Sequence, residues 1–195
     1  MRAVAVMLML GCAAALALSG CAPGAQTVKL APETEQIEER ERAEPAGLAL
    51  RVIDRRPREI FGYRDEAGGV TLAGEPALAE AVHDGLATAF ERQGIAVTEW
   101  DGEAERRLEV EIYTFDYERS GGFLNRRASL KSAWMVSGVV DGERYSSEAR
   151  VSTETRALFG PGEAKNEELV NRVLSRGVRQ VATQKDLLRL LEGET

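Results

Sequence analysis

Apolar residues recur along this chain in two rhythms, and each rhythm predicts a kind of element. Over 107–117 they first alternate, with Leu108, Val110 and Ile112 on one side and Glu109 and Glu111 on the other, the period of a half-buried strand. Further strands are expected over 47–54, 70–72, 95–98, 128–141 and 143–155. Asp141-Gly142 joins the last two as a two-residue hairpin, because both central positions of that turn need positive φ. Ser120-Gly121-Gly122 opens the looser turn before them, and Ile60–Tyr63 reads as a loop or short edge piece. The second rhythm is helical. Leu78, Val82, Leu86, Ala89 and Phe90 form one stripe that starts at Glu75-Pro76 and ends at Gly94. Leu169, Val170, Val173, Leu174, Val178, Val181 and Leu188 form a second stripe within 166–191, with Asn166 as its expected cap.

The resulting order is β-β-α-β-β-β-β-α. It predicts an α+β fold with a mainly antiparallel sheet and two amphipathic helices packed on one face. One strand breaks its own pattern. Tyr113, Phe115 and Tyr117 lie on the opposite face from Leu108, Val110 and Ile112, so both faces of 107–117 carry apolar groups. A one-residue slip would exchange every face, and the sequence alone leaves the register open.

Composition narrows the class. The 195 residues are 44% hydrophobic and 29% charged, as in a folded domain, with few aromatics at 6%. The net charge of −7 and the lack of a Lys/Arg run argue against nucleic acid as a partner. The two cysteines are Cys12 and Cys21, and the lone histidine is His83, so neither a disulfide nor a Cys- or paired-His metal site is expected in the domain.

The first twenty residues change the picture most. Met1-Arg2 is followed by an uncharged apolar stretch from Ala3 to Leu18, too short to span a bilayer comfortably and matching a secretory leader. It ends in Leu18-Ser19-Gly20-Cys21, which resembles the bacterial lipobox. That resemblance implies cleavage between Gly20 and Cys21 and acylation of Cys21. Ala22, where an Asp would favour inner-membrane retention, implies an outer-membrane anchor facing the periplasm. The expected division is a leader at 1–20, the lipidated cysteine and a flexible tether at 21–45, and a single periplasmic domain at 46–195. The tether assignment rests on Pro23, Pro32 and Pro45, the charge run 38–42 and the absence of a regular apolar period.

With the leader in place, several residues acquire a context. The strand ending in Val52-Ile53-Asp54-Arg55-Arg56-Pro57, the following Ile60-Phe61-Gly62, the helix running from Leu78 to Gly94, and Leu108–Ile112 ahead of Tyr113 and Tyr117 resemble the YajG-type family of uncharacterised envelope lipoproteins. The resemblance implies a location and an α+β fold, and brings no established activity, cofactor or catalytic residue.

Candidate chemistry is thin. Asp54 and Arg55 are a candidate functional ion pair at a strand end, set against a plain turn shaped by Asp54 and Pro57. Glu109 and Glu111 share a strand face, and His83 sits on a helix flank without a nucleophile near it in sequence. No nucleophile elbow or phosphate loop occurs. Tyr113, Phe115, Tyr117 and Phe123 are the candidate partner or ligand surface, set against an extension of the core. The leading expectation is a non-enzymatic lipoprotein, held to the membrane through Cys21, that serves as an interaction or accessory module for an envelope protein. The alternative is a carrier of a small apolar or lipid ligand, motivated by the strand with two apolar faces. An envelope hydrolase stands third.

Overall fold

The computed structural model describes residues 25–40, 46–65, 68–121, 126–157 and 161–193. They form eight strands and three helices: β1 Gln26–Lys29, β2 Ala46–Asp54, β3 Gly62–Tyr63, β4 Thr71–Glu75, α1 Leu78–Arg92, β5 Ile95–Thr98, β6 Arg106–Ser120, β7 Arg126–Val140, β8 Glu143–Ala157, α2 Glu163–Ala182 and α3 Lys185–Glu192.

Strand β6 organises the sheet. One edge pairs along its whole length with β7, which pairs in turn with β8. The other edge is shared end to end by two smaller ladders. Strand β2, with β5 beyond it, runs beside Arg107–Ile112, while β3, followed by β4 and β1, joins at Tyr117. Four of the seven pairings are parallel. The sheet is therefore mixed, which corrects the expected mainly antiparallel one. Turn residues report hairpins, and here they report the long β6–β7–β8 meander. Parallel partners are joined through crossovers such as α1, and no local turn signal announces them. The Asp141-Gly142 turn forms as its residues demand, with φ of 50° and 88°.

Both long helices cover the same sheet face. Leu78, Val82, Leu86 and Phe90 of α1 and Leu169, Val173, Leu174, Val178 and Val181 of α2 share one buried cluster with Leu48, Leu50, Leu108, Val110, Trp134 and Val136 from the sheet. Trp134 packs edge-on against Gly177 of α2, where a Cβ would lie 2.4 Å from the indole ring. That glycine lets helix and sheet approach closely.

The expected final helix is two helices, broken at Thr183-Gln184. The hydroxyls of Tyr145 and Ser147 converge on Gln184 Oε1, the latter at 2.7 Å, and Gln93 Nε2 donates to the Ala182 carbonyl at 2.8 Å. The interruption is thus satisfied by distant side chains, which a local pattern does not report. Asn166 is not the cap. The cap is Gly162, four residues earlier, helix α2 begins at Glu163, and Asn166 is fully buried.

The larger correction concerns the tether. Residues 26–40 belong to the fold. Strand β1 lies parallel to β4, and Val28, Leu30 and Ile37 sit in the core with exposures of 0, 5 and 3%. Beyond β1 the backbone is held by side chains of α2. Asn171 accepts from the Ala31 amide and donates to the Lys29 carbonyl, both at 2.9 Å, and Ser175 accepts from the Glu33 amide at 2.8 Å. Two polar residues one helical turn apart replace a sheet edge as the partner of an extended segment. Three apolar residues spaced unevenly along an irregular strap show no period, which is why the segment reads as linker.

Candidate functional site

The conflict within β6 resolves at one residue. Ile112 pairs with Trp134 and Thr114 with Ala133, so Tyr113 is an extra residue in the strand, a β-bulge. Before the bulge the even positions Leu108, Val110 and Ile112 face the helices; after it the odd positions Phe115 and Tyr117 do. All five are buried. Only Tyr113 is turned outward, at 51% exposed. The strand therefore has one apolar face and one polar face, and the observation behind the ligand-carrier reading has a packing explanation.

Of the four candidate surface aromatics, Phe115 and Tyr117 are core residues. Phe115 meets Phe61 edge-on at 4.8 Å between ring centroids. Tyr117 donates to Asn166 Oδ1 at 2.9 Å, and Asn166 donates to Gln26 Oε1 at 3.0 Å, so β6, α2 and β1 are joined by a buried polar chain. Burial holds the Tyr117 hydroxyl above the ordinary tyrosine range. Phe123, like Gly20 and Cys21, lies outside the described residues.

The sheet face turned away from the helices is polar. Arg51 pairs with Glu109 and lies over the Trp100 ring, 4.2 Å from its centroid. Arg55 Nε donates to Glu111 Oε1 at 2.8 Å, and the Tyr113 hydroxyl donates to Glu111 Oε2 at 2.8 Å. The Arg55 hydrogen bond, with that of Tyr113, holds the Glu111 carboxyl below its usual range, and the same contacts push Arg55 and Tyr113 up. Further along, Lys131 pairs with Glu118, and Arg150 with Glu148. Between these charges Tyr113 and Met135, 38% exposed, line an open groove with Lys131, Glu148 and Arg150.

The strand-end turn separates the two candidate residues instead of pairing them. Arg55 belongs to the open face, as above. Asp54 takes Arg56: its carboxylate receives the guanidinium at 2.9 Å from Nε and 2.7 Å from Nη2, and the Arg56 amide at 3.0 Å. The Arg56 side chain is 4% exposed, reaches the Glu59 carbonyl at 3.3 Å and lies over Phe61 at 5.3 Å. Asp54–Arg56 is a bidentate clamp that fixes the chain's exit from β2. The sequence reading missed Arg56, although an Asp-x-Arg spacing ahead of Pro57 is the signal that allows this loop.

His83 sits on the surface of α1 beside Asp84, at 3.3 Å. Glu109 and Glu111 are each neutralised by an arginine. Among the described residues no three His, Cys, Asp or Glu side chains converge as metal ligands would, and no helix is long and apolar enough to cross a membrane.

A family model described as "Uncharacterized lipoprotein" matches residues 32–192. No curated protein matches the chain. Solved structures are similar at low identity. A Xanthomonas campestris protein of the DUF330 type is 13% identical, with 87% of this chain and 97% of that one covered and a TM-score of 0.45. A neuraminyllactose-binding hemagglutinin homolog from Helicobacter pylori is 13% identical over 81% of this chain and 95% of its own, with a TM-score of 0.46. A hypothetical protein from Chlamydia trachomatis is 9% identical over 71% and 96%, with a TM-score of 0.41. The family model spans most of the chain and includes the bulged strand, the Asp54–Arg56 turn and all three helices: the chain belongs to the YajG-like family of uncharacterized lipoproteins.

Proposed function

We propose that this lipoprotein is a non-enzymatic interaction module of the bacterial envelope, cut between Gly20 and Cys21, acylated on Cys21 and held at the outer membrane facing the periplasm. The reading is carried by Tyr113. A β-bulge aims one tyrosine out of an otherwise core-facing set, onto the sheet face that the helices leave uncovered, next to Met135. Bulges re-aim side chains in this way, and an aromatic with a methionine inside a charged rim is the composition of a protein-docking centre. The partner it fits is an envelope protein presenting an apolar side chain between charges of both signs, to meet Lys131, Glu148 and Arg150. Glu109, Glu111 and Glu148 on that face are engaged with arginines and Glu118 with Lys131, which suits a contact surface better than acid–base chemistry.

The test is photo-crosslinking from the native envelope. A photoreactive side chain at Met135 should capture a discrete partner that a probe at Glu91, on exposed α1, does not. Capture should fall at least tenfold when Tyr113→Ala is added, as expected for loss of an interface aromatic worth about 2 kcal/mol. Equal capture at both positions, or capture indifferent to Tyr113, contradicts the reading.

A further inference from the structure

We infer that the β6–β7 end of the sheet carries an arginine collar that contacts the anionic headgroups of the same membrane in which Cys21 is anchored. The inference rests on the reading of Cys21 as the lipid anchor.

Reach points to this end of the sheet. Cys21 stands five residues before Gln26, where the described fold is already under way, and five residues span roughly 18 Å at most. The end of the domain that holds Gln26 is therefore close to the bilayer surface. The register says which end that is. Gln26 is level with Leu72, Leu72 with Gly62, and Gly62 with Tyr117. Strand β1 is parallel to β4, β4 antiparallel to β3, and β3 parallel to β6, so β1 runs against β6. The chain leading back from Gln26 heads the way β6 continues past Tyr117. Ser120, the last residue of β6, lies three residues further on, roughly 10 Å.

Charge occupies that same stretch. Arg119 sits on β6, Arg126 and Arg127 open β7, and Arg156 lies near the end of β8, with Ser120 opposite Arg127 and Arg127 directly opposite Arg156. By strand alternation, Arg119 and Arg126 project on the helix side of the sheet and Arg127 and Arg156 on the open side. Like charges directly opposite on a ladder destabilise it. Here one carboxylate, Glu154, serves both, at 3.5 Å from Arg127 and 3.0 Å from Arg156. Two further acids here are engaged as well, Glu118 by Lys131 and Glu163, whose carbonyl accepts from Gln26, by Arg64. The chain is acidic overall, at −7, yet this end gathers four arginines, two on each face. An anionic plane lying across the end of the sheet meets both faces at once, whereas a small anion meets one. Basic groups within about a Debye length of such a plane, roughly 8 Å, act as a second attachment signal beside the acyl group. The domain then stands end-on, with the Tyr113 face perpendicular to the membrane.

The test uses the mature acylated protein with Ser120→Cys as a dye site, reconstituted into phosphatidylcholine vesicles with and without phosphatidylglycerol, all carrying a headgroup quencher. Quenching should rise with phosphatidylglycerol and fall at high salt. In Arg127→Gln/Arg156→Gln the ratio of contacting to free domain should drop roughly fivefold for each arginine removed. The control Arg144→Gln/Arg189→Gln removes the same charge elsewhere and should behave as wild type. Quenching that ignores the lipid charge or the collar arginines overturns the proposal, as does stronger quenching from a dye at Glu143→Cys, at the far end. Competition by inorganic phosphate beyond a chloride control of equal ionic strength overturns it in favour of a free-anion site. Intact mass of the same sample separates the two readings. Acylated Cys21 without lipid-charge dependence removes the collar alone, whereas an unacylated Cys21 removes both.

Discussion

Arg55 and Arg56 are neighbours with different work, and the contrast can be measured. Arg56 is buried in a bidentate pair that orders the loop to Phe61, whereas half of the Arg55 side chain is exposed. Arg56→Ala should cost about 3 kcal/mol, the low end for breaking a buried pair because Asp54 keeps some solvent, and Arg55→Ala far less. Urea denaturation of the two variants checks this. Glu111 gives a pH prediction at the same scale. Its folded pKa is depressed by Arg55 and Tyr113, so its contribution to stability is present above the unfolded pKa and is lost as pH falls through the folded one. The carboxyl carbon shift of Glu111, followed by NMR, should titrate at higher pH in Arg55→Gln than in wild type. An unchanged titration contradicts the assigned cause. Sequence reading reached Asp54 and the Pro57 bend, but could not tell which arginine turns inward. That choice depends on Phe61 and two carbonyls brought close only by the fold.

At the scale of elements, strand β6 separates what was legible from what was not. Its existence follows from alternation, and so does the problem with its aromatics, while its end at Ser120 lies three residues past the expected one. The bulge that solves the problem has no local signature, because it is defined by the partner strand: Ile112 and Thr114 take consecutive positions opposite β7. Deleting Tyr113 leaves Ile112, Phe115 and Tyr117 inward in unbroken alternation, so the shortened chain should fold with a thermal midpoint only a few degrees lower, by circular dichroism. It should also lose the crosslinked partner. If the deletion unfolds the domain, the bulge is needed for packing, and its functional reading loses its support. Strand β1 and the break between α2 and α3 were invisible for a related reason. Four residues, Gln26–Lys29, make too short a pattern, and Thr183-Gln184 contains neither Gly nor Pro. Both are specified by distant side chains, Asn171 and Ser175 in one case and Tyr145, Ser147 and Gln93 in the other.

For the whole molecule, the consequential correction is that the strap 26–40 belongs to the core. A spacer of two dozen residues would let the domain wander, whereas with Cys21 acylated as proposed, the four residues between Cys21 and Gln26 would hold it at the membrane surface. A chain beginning at residue 25 should therefore fold, and one beginning at residue 41 should lose about 5 kcal/mol or more, from burial of Val28, Leu30 and Ile37 at roughly 1.5–3 kcal/mol each. Equal stability of the two chains by denaturant unfolding would return the segment to the role of linker. The division of labour we propose is an anchor at one end, arginines beside it, and an uncovered sheet face standing clear with Tyr113 at its centre.

All of this depends on how the chain is held, and intact-mass spectrometry of the protein purified from its own envelope tests that most directly. The account predicts a mature species that begins at Cys21 and carries the added mass of acyl chains on that residue. A chain that begins elsewhere, or a Cys21 with no acyl mass, would contradict it.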